Sequence, residues 1–279
     1  MMKVTRAEMK RNAKASLKGR WGLAIGVTVL FTAIILILSW IVQMPFKEEL
    51  DLYTYYMLNG IEFEPDPAVM SGYYILTIIM DIVISPIVIG VMVVFMRISR
   101  GQEARVGDMF TPISRFLKIA GLFLLVFIKT FLWTLLFIIP GIIAAYRYSM
   151  AFYIMAENPD IGIVEAIERS KVMMKGNKWR LFVLQLSFIG WMLLAPFTFG
   201  ILLLWLLPYM ETTFMNFYNA LILEQSARID IGTPNAEGQS FGGGQNENRG
   251  YDETDRYDRD GDRGDKYSES EDADDKNDW

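Results

Sequence analysis

Residues 119–156 read IAGLFLLVFIKTFLWTLLFIIPGIIAAYRYSMAFYIMA, and the length of this run decides the fold. As one continuous helix it would extend about 57 Å at 1.5 Å per residue, whereas the hydrocarbon core of a bilayer is ~30 Å thick. The run must double back. The break is expected at Pro140-Gly141, where proline removes a backbone donor and glycine permits a left-handed turn. The spacing therefore predicts a hairpin of two spans, 116–139 and 141–156.

The same logic extends outward. A second doubled-back run, 181–223, is interrupted at Ala195-Pro196-Phe197-Thr198-Phe199-Gly200, which predicts spans 180–196 and 200–223 with Pro196 and Gly200 at the turn. Upstream lie two single apolar runs, 22–44 and 73–96. The first has a basic flank like a signal peptide, but it is too long and residues 39–44 offer no small-x-small cleavage pattern, so it should remain as a span. The expected fold class is all-α, a polytopic membrane protein with six transmembrane helices in residues 21–224, short amphipathic surface helices and a disordered C-terminal tail.

Charge then orients the bundle. Residues 1–20 carry Lys3, Arg6, Lys10, Arg11, Lys14, Lys18 and Arg20 against Glu8 alone, and residues 97–118 and 157–180 are also rich in Lys and Arg. Residues 46–72 are acidic and hold turn signals at Asn59-Gly60 and Pro65-Asp66-Pro67, so they are expected as loop or short turns. Cytoplasmic loops carry the Lys/Arg excess, which puts the basic segments and both termini inside and the acidic segment outside a cell membrane. Trp21 and Trp179 then fall at the inner interface and Trp40 near the outer one.

Two of these segments carry helical stripes. Met9, Ala13, Leu17 and Trp21 recur every four positions, which fits either a basic helix lying against anionic headgroups or a charged leader that orients the first span. Ile163, Ala166, Ile167, Ser170 and Met174 line one face of a second surface helix, which follows the start signal Asn158-Pro159-Asp160.

Residues 1–224 hold 20 Lys/Arg and 16 Asp/Glu, whereas residues 225–279 hold 7 and 16 and little apolar content. Such a tail has too little apolar area to offset the entropy of ordering, so a disordered cytoplasmic polyampholyte is expected, available to a protein partner. Asp258, Asp260, Asp262 and Glu269 follow a calcium-loop spacing, but Arg263 stands where that loop needs glycine, and a solvated tail is the expected state.

The chain has no cysteine and no histidine. Thiol nucleophiles, Ser-His and Cys-His catalysis and Cys/His zinc sites are excluded, and no metal or other cofactor is implied. Nucleic acid is not expected as a partner, because the basic residues are spread among juxtamembrane loops. Four ionisable residues remain within the expected spans: Asp81, Lys129, Arg147 and Glu211. Counted from the outer helix ends they lie ~9–16 Å deep, where charge is costly and faces protein or a wet cavity. Two acids and two bases could form a neutral network, either a structural lock or part of a transport path.

The stretch 139–151 (IPGIIAAYRYSMA), the run 170–178 (SKVMMKGNK), Leu186-Ser187-Phe188-Ile189-Gly190-Trp191, Leu207-Pro208-Tyr209 and the opening Ser16-Leu17-Lys18-Gly19-Arg20-Trp21-Gly22 resemble an uncharacterised bacterial family, family 975 of the domains of unknown function. The resemblance covers nearly all of residues 1–224. It implies a six-span membrane protein and no particular activity. Two functions follow as expectations: a non-enzymatic accessory protein that binds partners or modulates the envelope, or a small transporter or channel built on the intramembrane charges.

Overall fold

In the computed structural model, which describes residues 4–232, the chain is helical with no strand among the described residues. The helices are α1 (Arg6–Leu17), α2 (Trp21–Gln43), α3 (Lys47–Leu58), α4 (Pro67–Ser99), α5 (Phe116–Leu136), α6 (Ile138–Tyr148), α7 (Met150–Glu157), α8 (Ile163–Met173), α9 (Lys178–Leu194) and α10 (Leu203–Gly232). Every apolar run expected to span is a helix or a pair of helices. Four segments are long and apolar enough to cross a membrane: Trp21–Leu58, Pro67–Ser99, Val106–Leu136 and Ile138–Glu157. The helices at the two remaining predicted spans differ in kind. α9 has 17 residues, about 25 Å of rise, and α10 carries Thr212, Thr213, Asn216 and Asn219 on its inward side.

Both hairpins form, by different means. The first breaks at Phe137, whose φ −161° and ψ 150° are extended backbone, and not at Pro140-Gly141. Pro140 sits in the first turn of α6, where the missing N–H has no intrahelical partner to lose. Gly141 is not a turn residue either. A Cβ there would lie 2.1 Å from Thr134 Oγ1 and 2.8 Å from Thr134 Cα, so its glycine lets α6 pack directly on the backbone of α5. The second hairpin matches the sequence: Pro196–Thr198 forms a 3₁₀ turn, and Phe199 and Gly200 follow with φ of 50° and 80°. The left-handed region costs a non-glycine residue energy, and here it reverses the chain.

Residues 46–72, expected as loop or short turns, are partly helical, and the basic segment 97–118 is ordered as well. Lys47–Leu58 is a helix with no buried residue, and Asp66 caps α4 by accepting from Ala68 N–H at 2.8 Å. Val106–Arg115 is a 3₁₀ segment laid against α4, with Met109 fully buried. Its seat is Gly90, where a Cβ would stand 1.8 Å from the Met109 carbonyl oxygen. Four residues earlier, Pro86 cannot donate to the Ile82 carbonyl, and Ser85 Oγ donates to that carbonyl instead at 2.7 Å. This is the usual repair for proline inside an apolar helix.

The stripes of α1 and α8 are buried in protein. Met9, Ala13 and Leu17 are 0–2 % exposed, where α1 packs on α10 and α4; the expected contact with lipid is taken by helices. Ala166, Ile167 and Ser170 of α8 are buried, as is Met174 just beyond it, and Ser170 Oγ donates to the Arg147 carbonyl at 2.9 Å. The tips of both hairpins remain bare: Phe137, Ile138 and Ile139 are 68–72 % exposed, Phe197 83 % and Phe199 96 %. Most of the acidic segment 225–279, including Asp258, Asp260, Asp262 and Glu269, lies outside the described residues, although its first residues continue α10.

Gly90→Ala should lower the thermal unfolding midpoint in detergent, at a cost of about 1–3 kcal/mol for forcing atoms into a filled contact. Gly26→Ala, with nothing within 4 Å of the added Cβ, should leave the midpoint unchanged. Equal midpoints for both variants would show that the Val106–Arg115 segment does not seat on Gly90.

Candidate functional site: a basic cleft at the polar end of the bundle

The polar end is held by arginines that the sequence offers only as loop charges. Arg100 follows the last turn of α4. Its Nη2 donates to Glu157 Oε1 at 2.7 Å and to Asn219 Oδ1 at 3.0 Å, and its Nε donates to the same Oδ1 at 3.1 Å. Tyr218 O–H donates to the other Glu157 oxygen at 2.5 Å, and Asn219 Nδ2 donates to Ser99 Oγ at 3.1 Å. Ser16 Oγ of α1 donates to the Ser99 carbonyl at 3.3 Å. Four helices, α1, α4, α7 and α10, thus meet around one guanidinium. A second knot lies nearby: Arg180 of α9 is bidentate to Glu224 of α10, both distances 2.8 Å, and also donates to Asn177 Oδ1 and the Val4 carbonyl. Planar two-point pairs of this kind are the strong form of the ion pair.

Lys10 of α1 completes the seam. Its Nζ stands 4.1 Å from the Phe188 ring centroid and donates to the Ser187 carbonyl at 3.2 Å. Partial burial, helped by the neighbouring Arg6 charge, pushes its ammonium pKa down from the usual lysine value.

Beside the Arg100 knot opens a cleft of about 390 Å³ between α4, the 3₁₀ segment, α5 and α7. Arg97, Arg100, Arg115 and Lys118 line it against one carboxylate, Glu157. Its apolar side includes Ile89, Met96, Ile119 and Met155, all 1–5 % exposed. Arg97 pairs with Asp108 at 2.7 Å and Arg115 with Asp160 at 3.2 Å, but neither aspartate lines the cleft. Lys118 Nζ donates to the Pro159 carbonyl at 3.0 Å. This is a cationic mouth on an apolar wall.

The four charges singled out from the sequence go to three places, and among the described residues no ion pair joins any two of them. Asp81 is exposed and lines a separate cleft of about 100 Å³ between α2 and α4, with Ser39, Gln43, Tyr73 and Thr77. Glu211 is half-buried on α10, near Tyr153. Lys129 of α5 and Arg147 of α6 both act on Glu168 of α8. There Lys171 bonds Glu168 and holds its carboxyl below the usual range, and Lys129 and Arg147 add to that pull. Counting depth along each helix assumes a straight helix normal to the bilayer, and α8 folded against α6 removes that premise for Arg147. Of the turn residues, Pro196 and Gly200 form a turn, while Pro140 and Gly141 serve helix start and close packing.

Residues 134–225 match the sequence model of the family described as protein of unknown function (DUF975). The match spans α6 to α10 and so takes in Gly141, Arg147, Arg180 and Glu224; it is narrower than the resemblance read from the sequence, and Ser16–Gly22 lies outside it. No curated protein and no solved structure matches the chain.

A double-mutant cycle separates the real pair from the merely complementary charges. Arg180→Met and Glu224→Gln, scored by unfolding in detergent, should couple by ~1–3 kcal/mol, because either change alone strands a half-buried charge. The cycle of Lys129→Met with Glu211→Gln should be additive within ~0.5 kcal/mol. The opposite ranking would reinstate the network of deep charges.

Proposed function

We propose that this chain is a non-enzymatic integral membrane protein that crosses the cell membrane six times, keeps both termini in the cytoplasm, and acts as an accessory protein through its basic inner face. The observation that carries this is the concentration of arginine pairs and of the basic cleft at one end of the bundle. Arg20, Arg97, Arg100, Arg115 and Arg180 all belong to that end and are tied to it by hydrogen bonds or ion pairs. A surface organised this way is a platform for binding.

Six passes are supported by the hairpin tips. Exposed phenylalanines and isoleucines at both tips would be costly in water and are at ease in lipid. If α5 to α7 cross and return, α9 and α10 do the same with a tip of matching character. Trp40 on α2 is 62 % exposed and Trp179 at the start of α9 is 71 % exposed, as interfacial belts require.

A transporter needs charged groups that share one path across the core. Among the described residues no ion pair joins Asp81, Lys129, Arg147 or Glu211 to another of the four, which favours the accessory role. The lack of cysteine and histidine leaves catalysis without its commonest nucleophile and base.

Reporter fusions test the topology. Fusions after Gly60 should read outside, and fusions after Gln102, Gly176 and Gly232 inside; an inside reading at Gly60 would overturn the orientation. Purified protein in liposomes should leave proton and sodium gradients intact. A gradient that collapses, and is restored by Glu211→Gln, would make the protein a transporter.

A further inference from the structure

We propose that the cleft lined by Arg97, Arg100, Arg115 and Lys118 is a binding site for an anionic phospholipid, its phosphate held by these cations and its apolar part laid against Val93 and Pro112. The inference deepens the accessory reading by naming what the inner face takes up from the bilayer.

Charge identifies the headgroup. Four cations face the cleft with Glu157 as the only carboxylate on its lining, and Glu157 is already bound by Arg100 and Tyr218. A guanidinium has five N–H donors. Even a two-point pair with Asp108 or Asp160 would occupy only two of the five donors on Arg97 or Arg115, and Lys118 has three donors of which a neutral carbonyl takes one. Donors therefore remain for an anion, and a phosphate offers several acceptor oxygens in the geometry guanidinium groups match best.

The apolar wall identifies the rest of the molecule. Ile89, Met96, Ile119 and Met155 form the packed floor of the cleft, and the half-buried Val93 and Pro112 give it the apolar surface that a lipid covers and a hydrophilic anion does not. Position agrees. The cations stand at the C-terminal end of α4 and the N-terminal end of α5, where apolar helix gives way to polar chain, and Leu117 beside Lys118 is 84 % exposed. That is the level at which a headgroup lies. About 390 Å³ falls within the ordinary range for ligand sites.

The full chain in a neutral maltoside detergent tests this, and detergent makes the result independent of which side the cleft faces in the membrane. Dioctanoyl phosphatidylglycerol should raise the unfolding midpoint saturably, while dioctanoyl phosphatidylcholine and inorganic phosphate at the same concentrations should not. Lys118→Gln and Arg115→Gln should each weaken the response about tenfold, the effect of losing one charge-assisted hydrogen bond. Lys47→Gln, on exposed α3, should not change it. Both cleft variants must first show a wild-type midpoint without lipid; should one fail to fold, the other decides. An equal response to phosphatidylcholine, an equal response to inorganic phosphate, or wild-type affinity in a folded cleft variant would each overturn the assignment. Loss of the lipid response with topology intact would leave the accessory role standing and remove only this site.

Discussion

The structure depends on where the Arg100 guanidinium finds its partners. An arginine at the end of an apolar helix can snorkel to water with no further consequence. Here it is instead held by Glu157, Asn219 and, through Asn219, by Ser99. α7 is short, and α4 and α10 are far apart in sequence, so these bonds decide how the ends of three helices meet. With that vertex set, α1 docks through Ser16 and its buried Met9-Ala13-Leu17 stripe, and Arg180 and Glu224 close the next layer outward.

Packing inside the bundle relies on small residues at two places. Gly90 admits the Met109 carbonyl and Gly141 admits Thr134. Between helices in an apolar solvent there is no hydrophobic gain from burial, so close van der Waals approach carries more of the association. The two glycines thereby do for apolar contacts what Arg100 does for polar ones. Proline has a lesser part than its sequence prominence suggests: Pro86 is compensated by Ser85, and Pro140 lies where a helix tolerates it.

The basic end brings these features together. Holding Arg97, Arg100 and Arg115 in ion pairs fixes their positions without exhausting their donors, which is the preorganisation a binding site needs. The neighbouring Ile89, Met96, Ile119 and Met155 supply a packed apolar floor beneath those charges. Asp81, by contrast, lines a separate cleft between α2 and α4, and Glu211 lies on α10 near Tyr153.

The helical character and the six apolar runs were legible from the sequence, because run length against bilayer thickness permits few solutions. The Pro196–Gly200 turn was legible too, as was the striping of α1 and α8, since periodicity reports which face is apolar. It does not report what covers that face, and only the tertiary structure placed α10 and α4, rather than lipid, against α1. The cleft lay hidden because Arg97, Arg100, Arg115 and Lys118 read as orientation signals, and Met155 and Glu157, which complete its lining, come from α7 later in the chain. The same is true of the charges in the spans: complementary sign at similar counted depth cannot say whether Lys129 meets Glu211. Pairing depends on helix rotation and tilt, and those are set by contacts between segments that no local pattern contains.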